Sequence, residues 1–173
     1  MIFAIDPGLA CGLAWVDGDC PTSRLLNIRG ESEGATYVRA RAKFLEIINR
    51  GDVIGLEAAI LPNKVSLASR LVLFGIRSMI VAVAYERGAR LIEVEPHRWR
   101  KHFMNVVQAP RTVARKHRRQ WLKEQAQKTV ALRGWGDVSA DEADALGILD
   151  YLRATLEPAY AIRSTPLFER QIP

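Results

Sequence analysis

Two short apolar runs, each closed by an acid, constrain this chain more than any other feature. "MIFAID" ends at Asp6, and "DVIGLEAAI" carries Glu57 near its end. Neither run alternates polar with apolar residues, and both are too short for a helix. Such segments fit strands covered on both faces, which places them in the interior of a sheet. Side by side, two such strands bring their terminal residues to the same rim, so Asp6 and Glu57 can converge.

The rest of the chain fits around that pair. "LAWVDG" and "SRLLNIRG" read as two further strands, forming an antiparallel meander with the first. Helical periodicity runs from Ala35 to Asn49. "KVSLASRLVLFGIRSMIVAVAYERG" reads as a long, mostly buried helix stopped at Gly88, too polar for a membrane span because Arg70 and Arg77 interrupt it. "ARLIEVE" is a fifth strand, closed by Pro96. A short helix from Arg98 to Met104 and a longer one from Arg111 to Val130 follow, and a Gly/Trp loop leads to a last helix beginning at Ser139. The order βββαβαβααα implies an α/β fold, with a five-stranded mixed sheet of antiparallel meander plus parallel strands flanked by helices. The expected domain spans residues 1–156, and the proline-bearing stretch 157–173 reads as an irregular tail.

The last helix holds the second pair of acids. In "SADEADALGILDYL", Ser139 and Glu142 make a capping box, and Asp141 suits the positive end of the helix dipole. Asp144 suits neither role. Its i+4 neighbour is Ile148, and Ala145, Leu149 and Leu152 complete an apolar stripe, so Asp144 sits on or beside the face the helix should bury. Asp141 lies one turn back, roughly 5–6 Å away between Cβ atoms. Carboxylates this close repel unless a proton or a cation intervenes. Three of the four acids also have a plain structural use: turn former for Asp6, partner of an arginine for Glu57, dipole complement for Asp141. Together, Asp6, Glu57, Asp141 and Asp144 form a set of hard oxygen ligands of the kind that surrounds two Mg²⁺ ions, with Mn²⁺ able to substitute.

Charge points to the partner. The chain carries a net charge of +6, but the segment from His97 to Lys128 holds ten Lys/Arg against one acid, Glu124. The excess positive charge belongs to that segment, which implies a polyanion-binding face. Arg111, Arg115, Arg118 and Arg119 would share one face of a helix, and Val113, His117 and Trp121 another. Arg98, Lys101, Lys116, His117 and Lys123 extend the candidate phosphate contacts, which would position a nucleic acid without reading its sequence. His97 and His102 read as contacts or bystanders, and Trp99 and Trp121 as core residues. Cys11 and Cys20 lack metal-site spacing and read as free thiols. With neither a signal peptide nor an uninterrupted apolar span in view, the expectation is a cytoplasmic protein with no membrane partner.

The acidic motifs carry a resemblance. "FAIDPGLACGLAW", "VIGLEAAI" and "DEADALGIL" are similar, in order and spacing, to the acidic motifs of the RuvC-type Holliday-junction resolvases of the RNase H-like/retroviral-integrase superfamily. The likeness covers roughly residues 1 to 154. It implies a homodimeric, Mg²⁺-dependent endonuclease cutting four-way DNA junctions, with Asp6, Glu57, Asp141 and Asp144 as its metal-binding tetrad. Three departures bear on substrate. "LACGLAW" stands where cellular members have Thr-Gly-x-Gly, and resembles the shorter phage and prophage versions. Ile60 occupies the place of an aromatic residue that acts at the junction in many members. "APRTVARKHRRQW" replaces a Gly/Ala/Lys-rich stretch. Other branched DNA, an RNA–DNA hybrid, or a non-catalytic DNA-binding role remain the alternatives.

Overall fold

The structure is a computed structural model that describes residues 1–18, 20–59 and 66–164. Its centre is a single five-stranded sheet built from β1 (Ile2–Asp6), β2 (Ala10–Asp17), β3 (Cys20–Asn27), β4 (Val53–Glu57) and β5 (Arg90–Val94), in the order β3-β2-β1-β4-β5. β1 pairs antiparallel with β2 and parallel with β4, and β5 is parallel to β4. The mixed sheet expected from the apolar runs is therefore present, with β1 at its middle. The two meander strands begin earlier than "LAWVDG" and "SRLLNIRG" suggest, because Ala10, Cys11 and Gly12 continue the ladder against Asn27, Leu26 and Leu25, and Cys20, Pro21 and Thr22 continue it against Asp17, Val16 and Trp15.

Helices cover both faces. On one side lie α1 (Glu33–Ile47) and α2 (Leu67–Arg87), and on the other α3 (Pro96–Met104), α4 (Arg118–Leu132) and α5 (Ala140–Leu156). The strand pleat sorts side chains between two cores. Ile5, Leu13, Ile54 and Leu56 pack with Phe44, Ile76 and Ile80 under α1 and α2, whereas Ala4 and Ala14 pack with Trp99, Phe103, Val130 and Ile148 under α3 to α5. The second face is lined with small residues, so α5 lies close on the sheet. A Cβ at Gly55 would come within 3.0 Å of Leu152 and 3.2 Å of Ile148. Leu146, Ile148, Leu149 and Leu152 are almost fully buried there, each contributing about 2 kcal/mol by removal from water.

Several expectations are corrected. The helix expected from Arg111 begins only at Arg118, after a turn and a single 3₁₀ turn at Arg115–His117. Cations crowd the positive end of the helix dipole, no side chain caps that end, and Thr112 and Val113 are weak helix formers. The one-face stripe of Arg111, Arg115, Arg118 and Arg119 therefore does not form, nor does the Val113–His117–Trp121 face. The stretch after Glu157 is not irregular at its start: α6 (Pro158–Ser164) opens on a proline at its first position and packs on α5. Residues 165–173 and Ile60 lie outside the described residues.

α2 differs most from expectation. It ends at Gly88 in a left-handed cap as foreseen, and Ile76, Ile80, Val83 and Ala84 are buried. The helix is nevertheless long and apolar enough to cross a membrane by length and hydropathy alone, despite Arg70 and Arg77, and only 22% of that window is buried. Its outer face is exposed and apolar, carrying Leu67, Leu71, Phe74, Val81 and Tyr85.

Candidate active site

The β1–β4 register places Asp6 and Glu57 together. Ile5 faces Leu56 across the parallel pair, and the acids are the next residue on each strand. Neighbouring strands are about 4.8 Å apart, so the two carboxylates leave the same rim from adjacent positions. On the other side of β1, Asp6 pairs with Gly12 of β2. Gly12 is where α5 begins its contact with the sheet: a Cβ at this position would overlap the Asp141 carbonyl, deep inside van der Waals contact. The missing side chain lets the first turn of α5 rest on β2, directly beside Asp6. The capping box of Ser139 and Glu142 forms as expected, and Glu142 Oε1 also accepts from Ser23 of β3, tying that turn to the sheet.

Asp144 follows one turn later on the buried face of α5, only 8% exposed. The electrostatics show that the four groups share one space. Burial drives the Asp6 carboxyl well above its usual value, and the charges of Glu57, Asp144 and Asp141 push it the same way, against Lys123. Burial, then Glu57, pushes Asp144 up to about 7; Lys123 and Arg100 oppose, and Asp141 adds to the rise. This is the signature of carboxylates brought together in low dielectric without enough counter-charge.

The counter-charge present comes from α4 and α3. Lys123 Nζ bonds Asp141 Oδ1, and Arg100 Nη2 stands 3.8 Å from Glu57 Oε1. Lys123, expected among the outer phosphate contacts, thus belongs to the acidic site. Arg100 was absent from the sequence-based set, and its place directly after the apolar Trp99 hid it. Trp99 Nε1 donates to Glu57 Oε1 at 3.0 Å. Behind β1, the Cys11 thiol donates to Gly8 O at 2.9 Å and accepts from Gly8 N, clasping the Asp-Pro-Gly turn; burial raises it to about 12, so it stays a thiol. Cys20 is also free, and exposed.

The set fits hard divalent cations in donor type, charge and repulsion. Among the described residues, however, no three acid, histidine or cysteine side chains already stand in ligand geometry. Lys123 and Trp99 instead occupy oxygens of Asp141 and Glu57.

The remaining candidates lie elsewhere. Arg98 pairs with Glu95, Lys101 bonds Asn105 Oδ1 and Arg118 bonds Val113 O. Arg111, Arg115, Lys116, His117 and Arg119 lie on the turn, the 3₁₀ turn and the start of α4, the same helix that carries Lys123. His102 is no phosphate contact. Its Nε2 lies 2.9 Å from Oδ2 of the buried Asp150, whose Oδ1 also takes Arg133 at 2.8 Å and the Tyr160 hydroxyl. Burial pushes the Asp150 carboxyl up, but the close His102 imidazole, the Arg133 charge and the Tyr160 hydroxyl outweigh it and hold it below the usual range. This buried polar cluster around one acid joins α3, α5, α6 and the end of α4. Asp150 had no legible signal, because its partners are supplied by three other elements.

No protein family model and no curated protein sequence matches the chain. Solved structures do. The "Thermus thermophilus RuvC structure" superposes with a TM-score of 0.60 at 19% identity, covering 94% of this chain and 95% of that one. "T. thermophilus RuvC in complex with Holliday junction substrate" gives 0.61 at 16% identity, over 91% and 97%. The yeast mitochondrial Holliday junction resolvase Ydc2 gives 0.53 at 15% identity, over 93% and 82%. The chain shares their fold over almost its whole length.

Proposed function

We propose that this chain is a divalent-metal-dependent endonuclease that resolves four-way DNA junctions, with Asp6, Glu57, Asp141 and Asp144 holding the metal ions. The observation that carries the reading is the gathering of four acids from β1, β4 and α5 at one rim, where Asp6 and Asp144 resist ionisation in the absence of a cation. A purely DNA-binding face gains nothing from such a cluster, which repels phosphate and destabilises the fold. The shared fold with proteins described as RuvC and as a Holliday junction resolvase, one of them in complex with a junction, supports the choice of substrate.

Bound Mg²⁺ or Mn²⁺ would supply Lewis-acid activation of water and neutralise charge on the phosphodiester. The chain's own residues do the rest. Asp6, at the centre, is shared between the Glu57 side and the α5 side of the site. Arg100 of α3 and Lys123 of α4 flank different acids of the set and are placed to meet the extra negative charge of the phosphate transition state. Release of Lys123 from Asp141 would free both the acid for metal and the ammonium for phosphate. Arg111, Arg115, Lys116, His117 and Arg119 continue the cationic track outward along the backbone path.

Paired cuts need two such sites. Leu67, Leu71, Phe74, Ser78, Val81 and Tyr85 recur on α2 at alternating spacings of four and three, the seam of a helix that packs on another helix. Phe74, Ser78, Val81 and Tyr85, with Arg77 and Ala82, line an open cleft of about 450 Å³ on this face. A second copy using the same face would give a two-fold homodimer.

The test is cleavage of a labelled mobile four-way junction with Mg²⁺, Mn²⁺ or EDTA, by wild type and Asp6→Asn, beside flap, fork and RNA–DNA hybrid substrates. Metal-dependent paired nicks in the junction, lost in the variant, are expected. Equal cleavage by Asp6→Asn would reject the site, and preference for another lane would reject the substrate.

A further inference from the structure

Trp99 is fully buried on α3, and its ring has a made-to-measure socket. Gly147 of α5 faces it, and a Cβ there would come within 2.7 Å of two indole carbons and 2.9 Å of Phe103. A buried indole N–H requires an acceptor. A core tryptophan commonly takes a backbone carbonyl, but this one takes Oε1 of Glu57, from the end of β4. The next residue, Arg100, lays its guanidinium 5.1 Å over the same indole and stands 3.8 Å from the same oxygen. Glu57 is also held from behind, where Arg77 of α2 donates to its backbone carbonyl at 3.0 Å. Oε1 is thus engaged, while Oε2 has no hydrogen-bond donor among the described residues.

We infer that Trp99 is a positioning residue: its indole N–H, locked by the Gly147 socket, holds the Glu57 carboxylate in one orientation and leaves Oε2 for the acidic cluster. The role as a metal-orienting group rests on the function proposed above. Ordering a long acidic side chain before a cation arrives removes rotamer freedom that binding would otherwise have to freeze. Helix α3 carries no acid of its own to the site, yet through Trp99 and Arg100 it sets how one of the four is presented. The same pair gives a physical reason why an otherwise cationic helix buries a large aromatic residue beside the acids.

Indole ¹⁵N–¹H spectra of the full chain test this. The four tryptophans give four indole peaks, and Trp99→Phe identifies the one that vanishes. Glu57→Gln should move the Trp99 peak and leave those of Trp15, Trp121 and Trp135 in place. Adding Mg²⁺ alone to wild type should move the same peak. Calorimetric Mg²⁺ binding should weaken about 10-fold in Trp99→Phe, the usual size for loss of a group that orients a ligand. A Trp99 peak indifferent to Glu57→Gln, or Mg²⁺ affinity unchanged in Trp99→Phe, would overturn the inference. If Trp99→Phe does not fold, Glu57→Gln spectra decide alone, with the Trp99 peak assigned by its contacts to Phe103. Wild type that binds Mg²⁺ and cuts junctions while Trp99→Phe matches it would reject the positioning role only. Wild type that binds no Mg²⁺ would reject the proposed function, and with it the metal-orienting role.

Discussion

Asp144→Asn isolates the repulsion stored among the four acids. Burial and the Glu57 charge raise the Asp144 carboxyl from 3.8 to about 7. Three units at about 1.4 kcal/mol each make ionised Asp144 cost the empty fold about 4 kcal/mol. The sign follows from proton linkage. The folded chain holds this proton more tightly than the unfolded chain, so its contribution to stability is full below about 3.8, falls steadily as pH rises from there, and is lost by about 7. Asparagine has nearly the same shape and no charge to lose. A change of 1 kcal/mol moves Tm by about 2–4 °C in a chain of this size, which sets a ceiling of about 8–16 °C. Asp6 also resists ionisation and can hold a proton in place of Asp144, so part of the repulsion is relieved either way. We expect Asp144→Asn to melt at least about 5 °C above wild type at pH 8 in EDTA, and less than half as far above it at pH 5. Mg²⁺ should raise the wild-type Tm at pH 8 and close the gap, because the cation replaces the missing counter-charge. The assay is thermal unfolding followed by circular dichroism at both pH values, with EDTA or Mg²⁺. A variant no more stable than wild type at pH 8, or stabilised equally at pH 5, would refute the claim that these carboxylates crowd one another.

Three further perturbations probe the architecture. Gly12→Ala should cost about 3 kcal/mol by urea unfolding and abolish junction cleavage, because the added methyl meets the Asp141 backbone and must lift α5 off β2; Gly34→Ala, with open space on α1, should be neutral or slightly stabilising. Asp150→Ala should cost about 3 kcal/mol, since it strands Arg133 and His102 in a partly buried site; a loss under about 0.5 kcal/mol in the urea midpoint would mean the cluster is incidental. Phe74→Glu on α2 should turn a dimer into a monomer in sedimentation at micromolar concentration and leave the monomer's Tm nearly unchanged, because Phe74 is exposed in the single chain; a variant that sediments as wild type does would remove α2 from the interface.

How far the sequence reaches depends on whether the physics is local. A strand buried on both faces needs an unbroken apolar run, so β1 and β4 could be read directly, and with them the shared rim of Asp6 and Glu57. The capping box and the Asp141/Asp144 spacing are one-turn properties, equally legible. The basic segment failed as a helix because composition shows the charges but hides the unfavourable helix end they crowd. Arg100, Lys123 and Trp99 were misplaced or missed as site residues for another reason: each acts on an acid at least 18 positions away in the chain. Their roles exist only after α3 and α4 dock on the same face as α5. Asp150 likewise acquires its partners from α3, α4 and α6, and the outer face of α2 is apolar in sequence whether or not the fold covers it.

Which segments become strands, the chemistry of the four acids and the helix start that carries two of them were determined by the amino-acid sequence, because each depends on residues within a few positions of one another. Which cations balance those acids, which oxygen of Glu57 stays open, and how closely α5 approaches β2 at Gly12 were decided by the tertiary structure. These are contacts between elements far apart along the chain, and only packing fixes the few ångströms on which they depend.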